Sequence, residues 1–185
     1  MTFANFFTLL RVLLIPVFMA MYYVDFRWHY PMASAIFLLA CITDWLDGHV
    51  ARRMNQCSRF GAFLDPVADK LLVTISLVML AASYPVPWYI IPAAVIVARE
   101  VLVSALREWM AEHHQRDAVA VGMIGKIKTT MQMIALTVLL ATNPQGPVLL
   151  WGLGLLLLNV AAVLTLWSMV TYLRNAWPVL KSGLK

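Results

Sequence analysis

The sequence predicts an all-α integral membrane protein, with six transmembrane helices in one bundle and both termini cytoplasmic. Three observations carry that prediction. The 185 residues are 62% hydrophobic and only 12% charged, whereas soluble domains run to about half apolar and about a quarter charged. Six stretches approach the ~20 apolar residues that a helix needs to cross a bilayer. The basic residues, finally, are sorted between alternate ends of those stretches. The length leaves room for one bundle over residues 1–185 and no second domain.

Residues 8–27 make the first span. The stretch 1–24 has the apolar run of a signal peptide, but Arg11 interrupts it and no A-x-A site follows, so it reads as a retained helix. Asp25-Phe26-Arg27-Trp28-His29 breaks the chain before the second span, 31–52. The third, 60–83, is closed by Ser83-Tyr84-Pro85-Val86-Pro87, and the fourth is 87–108. The fifth, 120–141, ends at Asn143-Pro144-Gln145-Gly146-Pro147, and 147–173 is the sixth. Trp28, Trp88 and Trp151 lie near these breaks, as interfacial aromatics do.

Of the 14 Lys and Arg residues, those three breaks contain Arg27 alone; the rest lie at or toward the opposite ends. The positive-inside rule therefore puts both termini in the cytoplasm, and an even number of spans demands the same parity. The net charge of +5 reports orientation on this reading and gives no ground for a nucleic-acid partner. Cys41 and Cys57 lack metal-site spacing and read as inert thiols.

Four aspartates stand inside these apolar segments, in the pattern Asp44-x2-Asp47-Gly48-x2-Ala51-Arg52-x8-Gly61-x3-Asp65-x3-Asp69. A carboxylate in hydrocarbon is expensive and marks a functional site. Positions 44, 47, 48, 51 and 52 share one face of the second helix, and 61, 65 and 69 make one stripe on the third. A cytoplasmic hairpin bend at 53–59 pairs acids at matching depth, with Asp47 ~8 Å below Arg52 and Asp65 ~9 Å below Arg59. Such acids are either protonated or separated by cations. Four carboxylates suit two hard divalent ions, Mg²⁺ or Mn²⁺, ~3.5–4 Å apart, the arrangement that clamps a phosphoryl group in transfer. Gly48 and Ala51 leave the helix wall flat, and Arg52 closes the face with a phosphate-matching fork. Helix packing alone would explain Gly48, Ala51 and Gly61, but not four acids.

This pattern resembles the D-x2-D-G-x2-A-R-x8-G-x3-D-x3-D motif of the CDP-alcohol phosphotransferase family, all eight fixed positions being present. The resemblance implies transfer of a phosphatidyl group from CDP-diacylglycerol to a hydroxyl acceptor with release of CMP. It implies two metal ions on Asp44, Asp47, Asp65 and Asp69, with Asp69 as the base, and a CDP-diacylglycerol pocket at Gly48, Ala51, Arg52 and Gly61. A looser N-terminal feature, P-N-x2-T-x2-R, is matched by Asn5, Thr8 and Arg11, with Ala4 where proline is common; it adds Asn5 and Thr8 to the nucleotide site. A homodimer in the bacterial inner membrane, its active site facing the cytoplasm, is also implied.

The acceptor is read from the remaining cations. Arg99 and Arg107 on the fourth span and Lys126 and Lys128 on the fifth flank one short connection, where they form a pocket for a phosphate-bearing acceptor. Arg99 and Lys126 lie deeper and are the first choices. The competing reading pairs Arg107 with Glu108 or Glu112 and leaves all four as anchors at the membrane edge. Ala98-Arg99-Glu100, Ser104 to Glu112, Gly125 to Gln132 and Ala161 to Ser168 resemble the branch of the family whose acceptor is sn-glycerol 3-phosphate. Two alternatives stay open: the same chemistry on inositol phosphate or serine, and a divalent-cation transporter. His113 and His114 read as solvated loop residues, and His49 faces away from the acid stripe.

Overall fold

The structure, a computed structural model, describes the backbone of residues 3–54, 59–112, 123–144 and 146–183. Side chains are described there except along 3–8, 44–54 and 59–63 and at scattered positions, Asp65 and Lys126 among them. The described residues form six helices: α1 (Phe3–Tyr23), α2 (His29–Met54), α3 (Arg59–Ser83), α4 (Pro87–Glu112), α5 (Met123–Ala141) and α6 (Val148–Gly183). Three of them carry apolar stretches long enough to cross a membrane: Pro66–Ser83, Pro87–Met110 and Val148–Arg174. The described parts of the others are apolar over shorter lengths, Leu9–Tyr23, His29–Thr43 and Ile127–Ala141.

The breaks fall where the turn residues put them. Pro87 opens α4, where a missing N–H leaves no bond unmade. The Gly146 amide donates to the Asn143 carbonyl at 2.8 Å, closing the turn before α6. Two boundaries differ from the sequence reading. The first helix stops at Tyr23 rather than 27, its last turn ending with the Val24 amide on the Ala20 carbonyl. The sixth does not stop at 173 but continues to Gly183. Helix geometry is indifferent to the fall in hydropathy after Arg174, so hydrophobic length marks the end of an apolar span and not the end of a helix.

By their internal contacts the residues divide into two compact units, Met1–Tyr84 with Leu136–Gly154, and Pro85–Ala135 with Leu155–Lys185. In the first unit α1 packs against both α2 and α3, with Phe18 and Phe37 buried together, ring centroids 6.0 Å apart. Polar ties join its helices. Ser34 donates to the Thr137 carbonyl at 2.8 Å, and the Tyr22 and Ser83 hydroxyls meet at 2.7 Å. The Tyr84 hydroxyl donates at 3.0 Å to the Thr142 carbonyl, just past the end of α5, where carbonyls lack helical partners. Burial pushes the Tyr84 phenol well above its ordinary range, so it stays a donor. Gly154 admits close approach: a Cβ there would lie 2.7 Å from Leu139 Cγ.

In the second unit Pro92 interrupts the hydrogen bonding of α4. Proline has no N–H, so the carbonyl four residues earlier, that of Trp88, loses its helical partner. Asn159 of α6 supplies one: its Nδ2 donates to the Trp88 oxygen at 3.0 Å and to the Leu155 oxygen at 2.8 Å. In an apolar surround no water would do this. Toward the other end of α6, Tyr172 and Ala176 pack with Leu106 and Met110 of α4.

Asn159→Leu should lower the stability of the detergent-purified protein by about 1 kcal/mol. Pro92→Ala, which restores the N–H, should make the same substitution nearly neutral. Thermal melting of the four proteins of this cycle checks both outcomes; an equal loss in either background would detach Asn159 from the proline.

Candidate functional site

The acid motif is carried on two continuous helices. Helix α2 runs unbroken through residues 44–54, so Asp44, Asp47, Gly48, Ala51 and Arg52 keep their common face on the backbone. Helix α3 begins at Arg59, which puts Gly61, Asp65 and Asp69 at successive turns of one stripe. Both helices pack on α1. Asp69 is half-buried, next to the fully buried Ala68. The side chains of Asp44, Asp47, Gly48, Ala51, Arg52, Gly61 and Asp65 lie outside the described residues, as do those of Asn5 and Thr8. The donor chemistry, all-carboxylate on two helical stripes, fits hard divalent cations.

Arg11 of α1 is fully enclosed, with 0% of its surface exposed. A guanidinium is tolerated inside a bundle only among groups that answer its charge. The two helices packed on α1 are those that bear the acids. Counted in the sequence as a marker of membrane orientation, Arg11 is instead an interior residue.

The second constellation is cationic and belongs to the second unit. Arg99 on α4 is 6% exposed and Lys128 on α5 is 1% exposed. Arg99 Nη1 forms an ion pair with Glu100 Oε1, and the Lys128 ammonium lies 3.9 Å from the same oxygen. The Ser104 hydroxyl bonds the Glu100 carbonyl at 2.6 Å. The Tyr172 ring lies 5.9 Å from the Arg99 guanidinium and 5.9 Å from that of Arg107, within cation–π range of both. Among the described residues, neither Lys128 Nζ nor Arg99 Nε has a hydrogen-bond partner. Buried donors of a charged group without acceptors are costly, and a bound anion would satisfy them.

Arg99 and Lys128 are thus enclosed rather than exposed. Arg107 is exposed and its contact is the Tyr172 ring. Lys126, a first choice of the sequence reading, has its side chain outside the described residues, while Lys128 is buried. Lys128, Gln132, Leu136 and Leu139 form the buried stripe of α5. His49 is among the undescribed side chains, and His113 and His114 fall outside the described residues altogether. Cys41 is half-buried. Sequence reasoning missed Tyr172 and gave Glu100 no role. A usable signal was there: Thr165, Ser168, Tyr172 and Ala176 recur at helical spacing through an apolar helix and are all buried.

The architecture defines a helical protein in which three helices are long and apolar enough to cross a membrane, with acids along α2 and α3 and buried cations on α4 and α5. Residues 1–172 match the family described as CDP-alcohol phosphatidyltransferase. The chain belongs to that family. It is 55% identical over 172 residues to the CDP-diacylglycerol–glycerol-3-phosphate 3-phosphatidyltransferase of Salmonella typhimurium, covering 91% of each chain. Against the protein of that name from Pseudomonas fluorescens the identity is 50% over 183 residues, 98% of this chain and 93% of the relative. The Sodalis glossinidius protein of that name is 52% identical over 169 residues, 91% of each.

Tyr172→Phe keeps the ring that both guanidiniums approach and should melt close to wild type, whereas Tyr172→Ala should lose about 3 kcal/mol by opening the core beside Leu106 and Met110. Melting curves of both variants test the assignment, and a phenylalanine variant as weak as the alanine one would shift the role to the hydroxyl.

Proposed function

We propose that the chain transfers the phosphatidyl group of CDP-diacylglycerol to sn-glycerol 3-phosphate, giving phosphatidylglycerophosphate and CMP. The observation that carries this is the 50–55% identity, over nine-tenths or more of the chain, to relatives that bear the name of that activity. The buried, anion-seeking donors of Arg99 and Lys128 support it independently, since an acceptor that itself carries phosphate needs such a site.

In this reading Asp44, Asp47, Asp65 and Asp69 hold two divalent ions, Mg²⁺ or Mn²⁺, which would neutralise charge on the phosphates and assist departure of CMP. Asp69 takes the proton of the acceptor hydroxyl as its oxygen bonds to phosphorus and the bond to the CMP oxygen breaks. Gly48, Ala51, Arg52 and Gly61 line the nucleotide side, with Asn5 and Thr8 contributing from α1. Arg99, Lys128, Arg107 and Lys126 hold the acceptor phosphate. All six helices span a bacterial inner membrane, both termini face the cytoplasm, and the protein works as a homodimer.

The deciding assay follows labelled glycerol 3-phosphate into lipid, with detergent-purified protein, CDP-diacylglycerol and Mg²⁺. Label should appear in phosphatidylglycerophosphate, vanish on chelation and return with Mg²⁺ or Mn²⁺. Asp69→Asn should lower kcat by about 10²–10⁴ with the fold retained. Lys128→Ala should raise KM for glycerol 3-phosphate about ten-fold or more, with a smaller change in kcat. CMP release only with another alcohol would replace the acceptor. Metal uptake into sealed vesicles without lipid substrate would replace the reaction.

A further inference from the structure

Neighbouring positions on a helix do not face each other, so an ion pair between Arg99 and Glu100 is not forced by their adjacency. The long Arg99 side chain turns toward the carboxylate, which also stands 3.9 Å from the Lys128 ammonium. One acid thus holds two cations that are almost fully enclosed. It does not exhaust them: Lys128 Nζ and Arg99 Nε remain without hydrogen-bond partners among the described residues. Two further charges act on Lys128, since Arg99 and Arg107 repel it while Glu100 attracts it. Among the described residues the cluster sets Arg99, Arg107 and Lys128 against the one carboxylate of Glu100, an anion already in place beside the cations.

The chemistry of the acceptor makes that competition useful. In transfer to glycerol 3-phosphate the hydroxyl reacts and the phosphate does not. The phosphomonoester leaves on the lipid product with the charge it brought. A site with nothing but cations would gain acceptor affinity and lose it again as slow product release, because both ligands present the same group. A carboxylate fixed beside the cations weakens both states and recaptures the ammonium as the phosphate departs.

We infer that Glu100 is an internal counter-anion, displaced from Lys128 and Arg99 by the acceptor phosphate and returning to them to release the product. It is a positioning residue that acts through the two cations. The inference rests on the reading of this cluster as the acceptor-phosphate site, and the test separates the two. Full-length wild type, Glu100→Gln and Lys128→Ala are compared by titration calorimetry with sn-glycerol 3-phosphate in the absence of lipid substrate, and by steady-state kinetics with it.

Glu100→Gln keeps the shape and an oxygen for Arg99 and removes only the charge. It should bind glycerol 3-phosphate about ten-fold tighter, the scale of one charge-assisted interaction. Its KM and kcat should fall together, with a first-turnover burst of CMP that shows the chemical step intact. A purely structural role for Glu100 would move these the other way, with weaker binding or a lower kcat at unchanged affinity, and either result overturns the inference. Glu100→Asp, which draws the carboxylate back by one methylene, should show intermediate tightening; it keeps the question answerable if the glutamine variant does not fold, and weaker binding there also overturns it. Wild-type affinity in Lys128→Ala would instead remove the acceptor site itself. Weakened binding in Lys128→Ala together with no tightening in Glu100→Gln would keep the site and discard the role of Glu100.

Discussion

Helices this apolar leave little water within reach, so each carbonyl freed from the backbone and each enclosed charge must be answered by another part of the chain. That constraint shapes both units. Pro92 frees the Trp88 carbonyl and Asn159 takes it up. The carbonyl of Thr142, just beyond α5, is met by the Tyr84 hydroxyl, and a carbonyl inside α5 by Ser34 of α2. At Trp88 and Thr142 one side chain from elsewhere satisfies the backbone, at Thr137 the carbonyl instead gives the Ser34 hydroxyl an acceptor, and each bond fixes the position of a helix, which apolar contact alone does poorly where the surround is also apolar. These ties are structural. Arg99 and Lys128 obey the same rule, yet among the described residues some of their donors are unanswered.

Arg99, Lys128 and Glu100 illustrate the difference. A carboxylate placed to satisfy two cations fully would make a closed, inert network. Here it stands at ion-pair distance from both, while an ammonium and a guanidinium nitrogen lack acceptors among the described residues. Tyr172 holds two guanidiniums near one ring without consuming a donor, because a ring face attracts cations but accepts no conventional hydrogen bond. The arrangement holds the cations beside one acid and one ring.

The helices and their breaks were legible because proline, glycine and asparagine punctuate the apolar runs, and because the acid motif could form a face only if α2 and α3 were continuous. What escaped was rotational. Lys126 and Lys128 differ by two residues, about 200° around a helix. Spacing alone does not say which side of α5 faces inward, and the structure places Lys128 on the buried stripe through Gln132, Leu136 and Leu139. Arg11 escaped for a related reason: a basic residue inside an apolar segment reads equally as an edge marker or an interior charge, and only the packing of α1 against two helices decides. The end of α6 was illegible because amphipathic residues continue a helix as readily as apolar ones.

Helix α6 also carries the argument about environment. Its outward residues are Leu149, Leu153, Leu156, Val160, Val163, Trp167 and Val170, while its buried ones include Ala161, Thr165, Ser168, Tyr172 and Ala176. Leu155 and Leu158 are buried too, but from Ala161 onward the large apolar side chains are outside and the small or hydrogen-bonding ones inside, the reverse of a helix on a water-soluble core. A lipid surround gains nothing from hiding leucine, so the interior is free for residues that permit close approach or make specific bonds. Ser168 donates to the Thr165 carbonyl within that buried stripe, and the cation–π ring of Tyr172 is one turn further along it. The face that in a soluble protein would make a hydrophobic core is thus, in this part of the helix, the face that carries the Tyr172 ring to Arg99 and Arg107.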